Sequence, residues 1–222
     1  KKLPKSFEEQ FLEAKEFIET IIESFSPKIP KKNVFIIPGN HDLNRVLETK
    51  EITEYLDCCH DETNPEGCVS ELIKNNGKVW KKCMERFREY KEFLEFSGFN
   101  HLLEDPERLI YSKIKRINGY KIGIAGLNSA WSSLGLKGRE KGKLWLGSYQ
   151  IDITSENLKE ATFSISLIHH PFNWLSSHEF DSIPKKIERS FDFCLHGHEC
   201  KNELFIEKEN DNKEKNYIEI AS

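Results

Sequence analysis

The chain of 222 residues has no run of about 18 consecutive apolar residues, so the sequence predicts no membrane-spanning helix. Neither sign of charge is in large excess, because 33 lysines and arginines stand against 37 aspartates and glutamates, for a net charge of −4. This balance excludes a protein that binds nucleic acid through bulk positive charge. No apolar h-region follows residues 1–5, so we expect no secretion signal in this stretch and a cytoplasmic location.

None of the six cysteines forms a Cys-x-x-Cys pair, a spacing typical of metal-binding and redox motifs. In a chain expected to stay in a reducing compartment, we predict that the cysteines are free thiols. The alternative is a zinc knuckle built from Cys58, Cys59, His60 and Cys68, although this spacing fits no common zinc-binding pattern.

The hydrophobic pattern predicts an α/β core that is interrupted by a helical segment. Apolar residues recur at helical spacing over 7–25, after Ser6 and Glu9 in a capping-box pattern. Short apolar runs predict buried strands at 33–37, 120–125, 163–168 and 191–195, with a last pair at 204–206 and 217–221. Aromatic residues among charged ones predict a long helix at about 70–96, after a loop over 57–68.

Polar side chains follow three of the predicted strands. In chain order they are Asn40, His41 and Asp42, then His169 and His170, then His196 and His198 with Cys200. Because loops after the carboxyl ends of strands in an α/β sheet meet at one crevice, we predict that these groups converge. Imidazole nitrogens and an amide oxygen suit Zn, Mn, Fe or Ni, so the sequence predicts a metal centre. Two such ions about 3.5–4 Å apart can hold a phosphate ester for in-line attack.

Together these motifs resemble the calcineurin-like metallophosphoesterase superfamily. The matching segments are 37–45 (IPGNHDLNR), 167–171 (LIHHP) and 195–198 (LHGH), with further similarity to middle segments of bacterial members at 126–131 and 146–150. The resemblance implies a four-layer α/β/β/α sandwich over residues 1–222, with a helical insertion at about 46–110 that caps the crevice. It also implies a hydrolase that uses two divalent metal ions.

The resemblance assigns metal ligands at the ends of the predicted strands. Asn40 and His169 match ligands of the family. The family's last motif is Gly-His-x-His, and one alignment makes His198 a ligand and places Cys200 where the final histidine belongs. A thiolate can bind zinc or iron but changes the charge of the site. In the alternative register His196 and His198 form the ligand pair, and Cys200 takes no part.

The resemblance also implies residues that act on the substrate. His41 would protonate the leaving group or stabilise the transition state, and Asp42 would hold the imidazole of His41 in one tautomer. His170 would face the rim and contact the substrate. Arg45 would contact the substrate phosphate, although a salt bridge at a helix cap is an equally good interpretation.

Two earlier motifs of the family, which supply Asp-x-His and Gly-Asp ligands, are absent before residue 39. We therefore expect the native protein to continue upstream of Lys1 and to include other domains. The alternative is a degenerate member that holds one metal or none and serves as a binding or sensor module. For an enzyme, the first expected substrate is a phosphodiester, either nucleic acid or a nucleotide, and a monoester or phosphoprotein is the next choice.

Three tryptophans lie near the ends of predicted strands or in the loops that follow them. Aromatic side chains at such positions can stack on a nucleobase. Large apolar residues there more often pack in the core or at its rim, so we predict packing for Trp131, Trp145 and Trp174.

Overall fold

The computed structural model describes residues 6–47, 50–135, 140–199, 203–208 and 216–221. These residues form seven α-helices and one six-stranded sheet, so the predicted α/β class is confirmed. The described helices include none with the length and apolar character needed to cross a bilayer.

The sheet places the ends of its central strands at one edge. Its strands are β1 Tyr111–Ile117, β2 Tyr120–Gly126, β3 Phe163–Ile168, β4 Phe193–His196, β5 Glu203–Lys208 and β6 Asn216–Ala221. Across the sheet their order is β1-β2-β3-β4-β6-β5. The pairs β2/β3, β3/β4 and β4/β6 are parallel, and the two outer pairs are antiparallel. The loops after β3 and β4 therefore leave the sheet side by side.

The strands predicted from apolar runs are confirmed at β2, β3, β5 and β6, and β4 begins two residues later than predicted. The sequence has no apolar run at the antiparallel strand β1, because charged residues interrupt the apolar ones along this partly exposed strand.

The strand predicted at 33–37 is wrong. Lys31–Asn33 form a 3-10 turn, and the extended chain that follows pairs with no described strand. Val34, Phe35, Ile36 and Ile37 instead pack against the core that also holds α-helical side chains. A four-layer α/β/β/α sandwich has two sheets between two layers of helices. The described residues form one sheet and the helices that accompany it.

The helices are α1 Phe7–Glu23, α2 Lys50–His60, α3 Pro65–Asn75, α4 Lys78–Glu85, α5 Arg88–Phe96, α6 Ser148–Asn157 and α7 Ser182–Ser190. The prediction of α1 and of its capping box is confirmed. The Glu9 amide donates to Ser6 Oγ at 3.2 Å, and the Ser6 amide donates to Glu9 Oε2 at 2.8 Å.

The single long helix predicted at 70–96 is wrong, because the chain forms three shorter helices there. Asn76 ends α3 in the left-handed conformation with φ 50°, which asparagine tolerates better than most residues. The loop predicted at 57–68 is also wrong, since α2 extends to His60 and α3 begins at Pro65. Asn64 caps α3 by accepting a hydrogen bond from the Gly67 amide at 3.0 Å.

The prediction of free thiols is wrong for one pair of cysteines. Cys59 and Cys68 form a disulfide between α2 and α3, with their Cα atoms 5.8 Å apart. The short turn between the two helices brings the cysteines together. Because the disulfide uses the sulfur atoms of both Cys59 and Cys68, the predicted alternative of a zinc knuckle is wrong. Cys58, Cys83 and Cys194 take part in no disulfide within the described part of the chain.

The helical segment shares one hydrophobic core with the chain that follows β2. Trp80 on α4 lies with its ring centroid 5.0 Å from that of Trp131, and Trp131 and Trp145 are fully buried. The packing predicted for these two tryptophans is confirmed. Arg86, only 2% exposed, crosses this core and donates hydrogen bonds to the carbonyls of Cys83, Trp131 and Ser133.

Candidate metal centre

Three of the predicted ligands meet at the edge of the sheet. His169 Nε2 lies 3.2 Å from Asn40 Oδ1 and 3.0 Å from His198 Nδ1. His169 follows β3 directly, and His198 lies two residues beyond the end of β4. Asn40 arrives from the extended chain before it, so a regular strand is not needed to deliver it.

The turn at 39–42 allows the close approach of His169. A Cβ atom on Gly39 would lie 2.9 Å from His169 Cε1, so any larger residue would displace the imidazole. Asp42 closes this turn, because its carboxylate accepts a hydrogen bond from the Gly39 amide at 2.7 Å. Arg45 Nη2 donates to the Asn40 carbonyl at 2.9 Å and steadies the same turn.

A tight turn also sets the direction of His198. The Glu199 amide donates to the Gly197 carbonyl at 2.9 Å, which leaves His198 between them with φ 71°. A left-handed residue other than glycine costs about 1–3 kcal/mol and is typical of functional sites. The Gly197 amide donates to the His169 carbonyl at 3.1 Å, which joins the two histidine-bearing turns.

His170 lies behind this group rather than at the rim, so that prediction is wrong. Its side chain is fully buried, and Nδ1 lies 3.0 Å from Ser129 Oγ, which also accepts the His170 amide at 3.0 Å. Its Nε2 is buried without a hydrogen-bond partner in the described part of the chain. An orphan nitrogen of this kind indicates a missing partner, such as an ion or a ligand.

The donors fit a divalent metal ion. His169, His170 and His198 each offer a ring nitrogen, and these nitrogens lie within 4.8 Å of one another. The distances of 3.0 and 3.2 Å around His169 match the separation of about 3.0–3.4 Å between neighbouring ligands of an ion bound at about 2.0–2.1 Å. This group contains no carboxylate.

The histidines are also in the protonation state that metal binding requires. Burial, reinforced by the neighbouring imidazoles, lowers the pKa of His169 to about 4 and that of His170 to about 2. Burial also lowers the pKa of His198, although the charges of Glu199 and Glu140 oppose this shift. Neutral imidazoles at neutral pH need not release a proton to bind an ion.

His41 is exposed and lies near the group without belonging to it. Its charge lowers the pKa of both His169 and His198. Within the described residues no hydrogen bond joins Asp42 to His41, so the predicted support of His41 by Asp42 is wrong. The turn directs the Asp42 carboxylate to Gly39 instead.

One predicted ligand does not reach the group. His196 ends β4 and is nearly buried, but its ring is outside the set of three convergent imidazoles. Cys200 lies outside the described residues. For Arg45, the structure favours neither predicted role: its described hydrogen bond runs to a backbone carbonyl, not to a carboxylate at a helix cap.

The sequence interpretation missed a second set of side chains around the histidines. The Trp174 ring lies 4.2 Å from the His198 ring, edge to face, and its indole N–H donates to Glu199 Oε1 at 2.7 Å. Lys141 Nζ lies 3.0 Å from the same carboxylate oxygen. Packing was predicted for Trp174, but nothing in the pattern indicated that it packs on the candidate ligands.

In the metal-free protein, the buried histidines should make the free energy of unfolding depend on pH. The unfolded chain binds more protons than the folded one between the lowered pKa values and 6.5. The stability is full above pH 6.5 and is lost as the pH falls below it, by up to about 1.4 kcal/mol per pH unit for each of His169 and His170. His170→Gln should remove its share, as measured by urea unfolding across this range.

The carboxyl groups of the half-buried Asp42 and the buried Glu179 act in the opposite direction. Burial raises the pKa of Asp42 to about 6 and that of Glu179 to about 7, so their contributions are lost as the pH rises through these values. The difference between wild type and His170→Gln at each pH cancels both effects. An unchanged pH slope in the variant would contradict the prediction.

Comparisons with known proteins place the chain in a family. The calcineurin-like phosphoesterase model matches residues 8–202, so the chain belongs to this family, and its α/β fold is consistent with that membership. It is also similar to the uncharacterized metallophosphoesterase-like protein YydB of Bacillus subtilis (strain 168), with 25% identity over 192 residues. The alignment covers 84% of this chain and 37% of that protein's length. No solved structure matches the chain significantly.

Membership of the family supports metal-dependent hydrolysis of a phosphoester. Members generally use divalent metal ions, and the three convergent histidines are a suitable donor group for one.

Proposed function

We propose that this chain carries the catalytic site of a metal-dependent phosphodiesterase that acts on a nucleotide or nucleic acid. The observation that supports it is the convergence of Asn40, His169 and His198, with donor atoms spaced as in a metal site. A phosphomonoester or phosphoprotein substrate is the alternative within the same chemistry.

In this proposal each residue has a defined task. Asn40, His169 and His198 would hold one of two divalent ions, with His170 behind them. A bound ion neutralises charge that develops on the phosphoryl oxygens. His41, exposed beside the group, donates a proton to the leaving oxygen. The Arg45 guanidinium, which lies next to Asn40, offers a fixed positive charge to a phosphate.

A second candidate function is supported by the absence of a carboxylate from the described donor group. Neutral ligands compensate the charge of a second ion poorly, so the chain would then hold one ion and serve as a binding or sensor module. Metal content and hydrolysis, measured together, separate the two candidates.

The test is metal content by elemental analysis, with initial rates on a generic phosphodiester and a generic monoester, for this chain and for the full-length protein. We expect bound metal and preferential hydrolysis of the diester. Asn40→Ala should lower both by at least about tenfold, since it removes a donor from the group. Asn75→Ala, at an exposed position on α3, is the matched control and should leave both unchanged.

Bound metal without hydrolysis of either ester would favour the binding module. Absence of metal from the full-length wild type would reject both candidates, and equal loss in Asn40→Ala and Asn75→Ala would remove the assigned site.

A further inference from the structure

We propose that a cavity beside the metal centre binds the nucleobase of the substrate. The inference rests on the proposed function and names the part of the substrate that this chain recognises. The cavity has a volume of about 250 Å³ and lies between α2 and residues of the segments 132–134 and 140–145.

Four apolar side chains form one part of the cavity wall. Leu56 on α2 faces Leu134, Leu144 and Trp145 across the space, and Leu56, Leu144 and Trp145 are buried. The α2 side chains that line the cavity recur at one helical face, at 53, 56, 57 and 60. Apolar walls with a few polar groups at fixed positions are typical of small-molecule sites.

Aromatic rings pack into a rigid group at one side of the cavity. The His60 ring lies 5.0 Å from the Trp145 ring, and Trp145 is stacked on His178 at 5.7 Å with an angle of 6°. Such a group resists collapse of the cavity wall. Trp145 is fully buried and supports the wall, and the half-buried His60 ring is the aromatic surface that suits a flat heterocycle.

Polar groups line the same cavity. Asp57 and Lys143 are exposed, and neither forms a salt bridge among the described residues. Asp57 can only accept hydrogen bonds when ionised, Lys143 can only donate, and a neutral His60 can do one of each. Nucleobases present mixed donors and acceptors along one edge, so this set is complementary to them.

The cavity adjoins the metal centre on the side of Glu140. Glu140 and Lys143 line the cavity, and Lys141, which lies between them in the chain, has its Nζ 3.0 Å from Oε1 of Glu199, the residue after His198. The cavity residue Leu134 precedes Gly135, where a Cβ atom would lie 2.9 Å from Cδ of Arg45. One ligand can therefore place a phosphate at the histidines and a base in the cavity.

The test separates base binding from catalysis. Binding of adenosine, guanosine, cytidine and uridine to the metal-free protein is measured by saturation-transfer NMR and calorimetry. We expect at least one nucleoside to bind the wild type, and Leu56→Trp, which fills the cavity, to abolish binding. With metal, Leu56→Trp should raise KM for a nucleotide diester by at least about tenfold, the scale of discrimination by apolar pockets.

A milder pair of variants guards against misfolding of Leu56→Trp. Asp57→Asn should weaken nucleoside binding by about tenfold, the value of one lost hydrogen bond to a charged group. Asp61→Asn removes a similarly exposed charge one turn along, outside the cavity, and should leave binding unchanged.

Failure of every nucleoside to bind the metal-free wild type would overturn the inference, even if the diester is hydrolysed. Equal effects of Asp57→Asn and Asp61→Asn would also overturn it. If nucleosides bind but no ester is hydrolysed, the cavity assignment stands and the proposed function fails.

Discussion

His41→Ala should lower kcat for phosphodiester hydrolysis by about 10²–10⁴-fold, the range of general acid catalysis, while the protein keeps its metal. His41 is exposed beside His169 and His198, but its ring is not among the three that converge. Its removal therefore takes a proton donor from the substrate side and leaves the donor group intact. Rates and metal content measured on the same preparations check this result.

His169→Ala is the matched comparison for His41→Ala, because it removes a proposed metal ligand instead of the proposed general acid. That variant loses the nitrogen closest to both Asn40 and His198, so metal content and activity should fall together. If His41→Ala loses metal in proportion to activity, His41 is a ligand and its assignment as the acid is wrong.

Arg86→Ala should lower the free energy of unfolding by about 3–5 kcal/mol, which is a large fraction of the stability of a domain. The guanidinium is buried and donates to three backbone carbonyls, including Ser133 at 2.7 Å. Truncation leaves these carbonyls without donors and opens a cavity in the core. Urea unfolding followed by circular dichroism measures the loss.

The neighbouring arginine provides a matched control for this measurement. The Arg88 side chain is 61% exposed and pairs with Glu89 at 3.0 Å, so Arg88→Ala should cost less than about 1 kcal/mol. A loss in Arg86→Ala as small as that expected for Arg88→Ala would contradict the role assigned to Arg86.

The convergence of the candidate ligands could be predicted from the sequence because it depends on strand topology. Apolar runs at β3 and β4 end directly before His169 and shortly before His198, and parallel neighbours bring their ends together. Asn40 lies next to His169 even though residues 33–37 before it do not form the predicted strand. The prediction needed only that the chain run straight to the turn at Gly39.

Other features depend on tertiary contacts that no local pattern records. The break at Asn76 requires a left-handed residue within a pattern that reads as continuous helix, and the Cys59–Cys68 bridge requires knowledge of how α2 meets α3. The burial of His170 against Ser129 joins positions 41 residues apart. His169 and His170 are consecutive residues after β3, so the sequence alone could not show that His170 points into the core.

The contact between Trp80 and Trp131 connects the candidate metal centre to α4, a helix that holds no candidate ligand. Trp131 lies two positions after Ser129, the hydroxyl that anchors His170, and its indole donates to the Leu146 carbonyl at 3.2 Å. A shift of α4 would thus be transmitted to the histidines through one short piece of chain. We therefore expect substitutions on α4 to alter metal binding at the histidines, although α4 itself holds no candidate ligand.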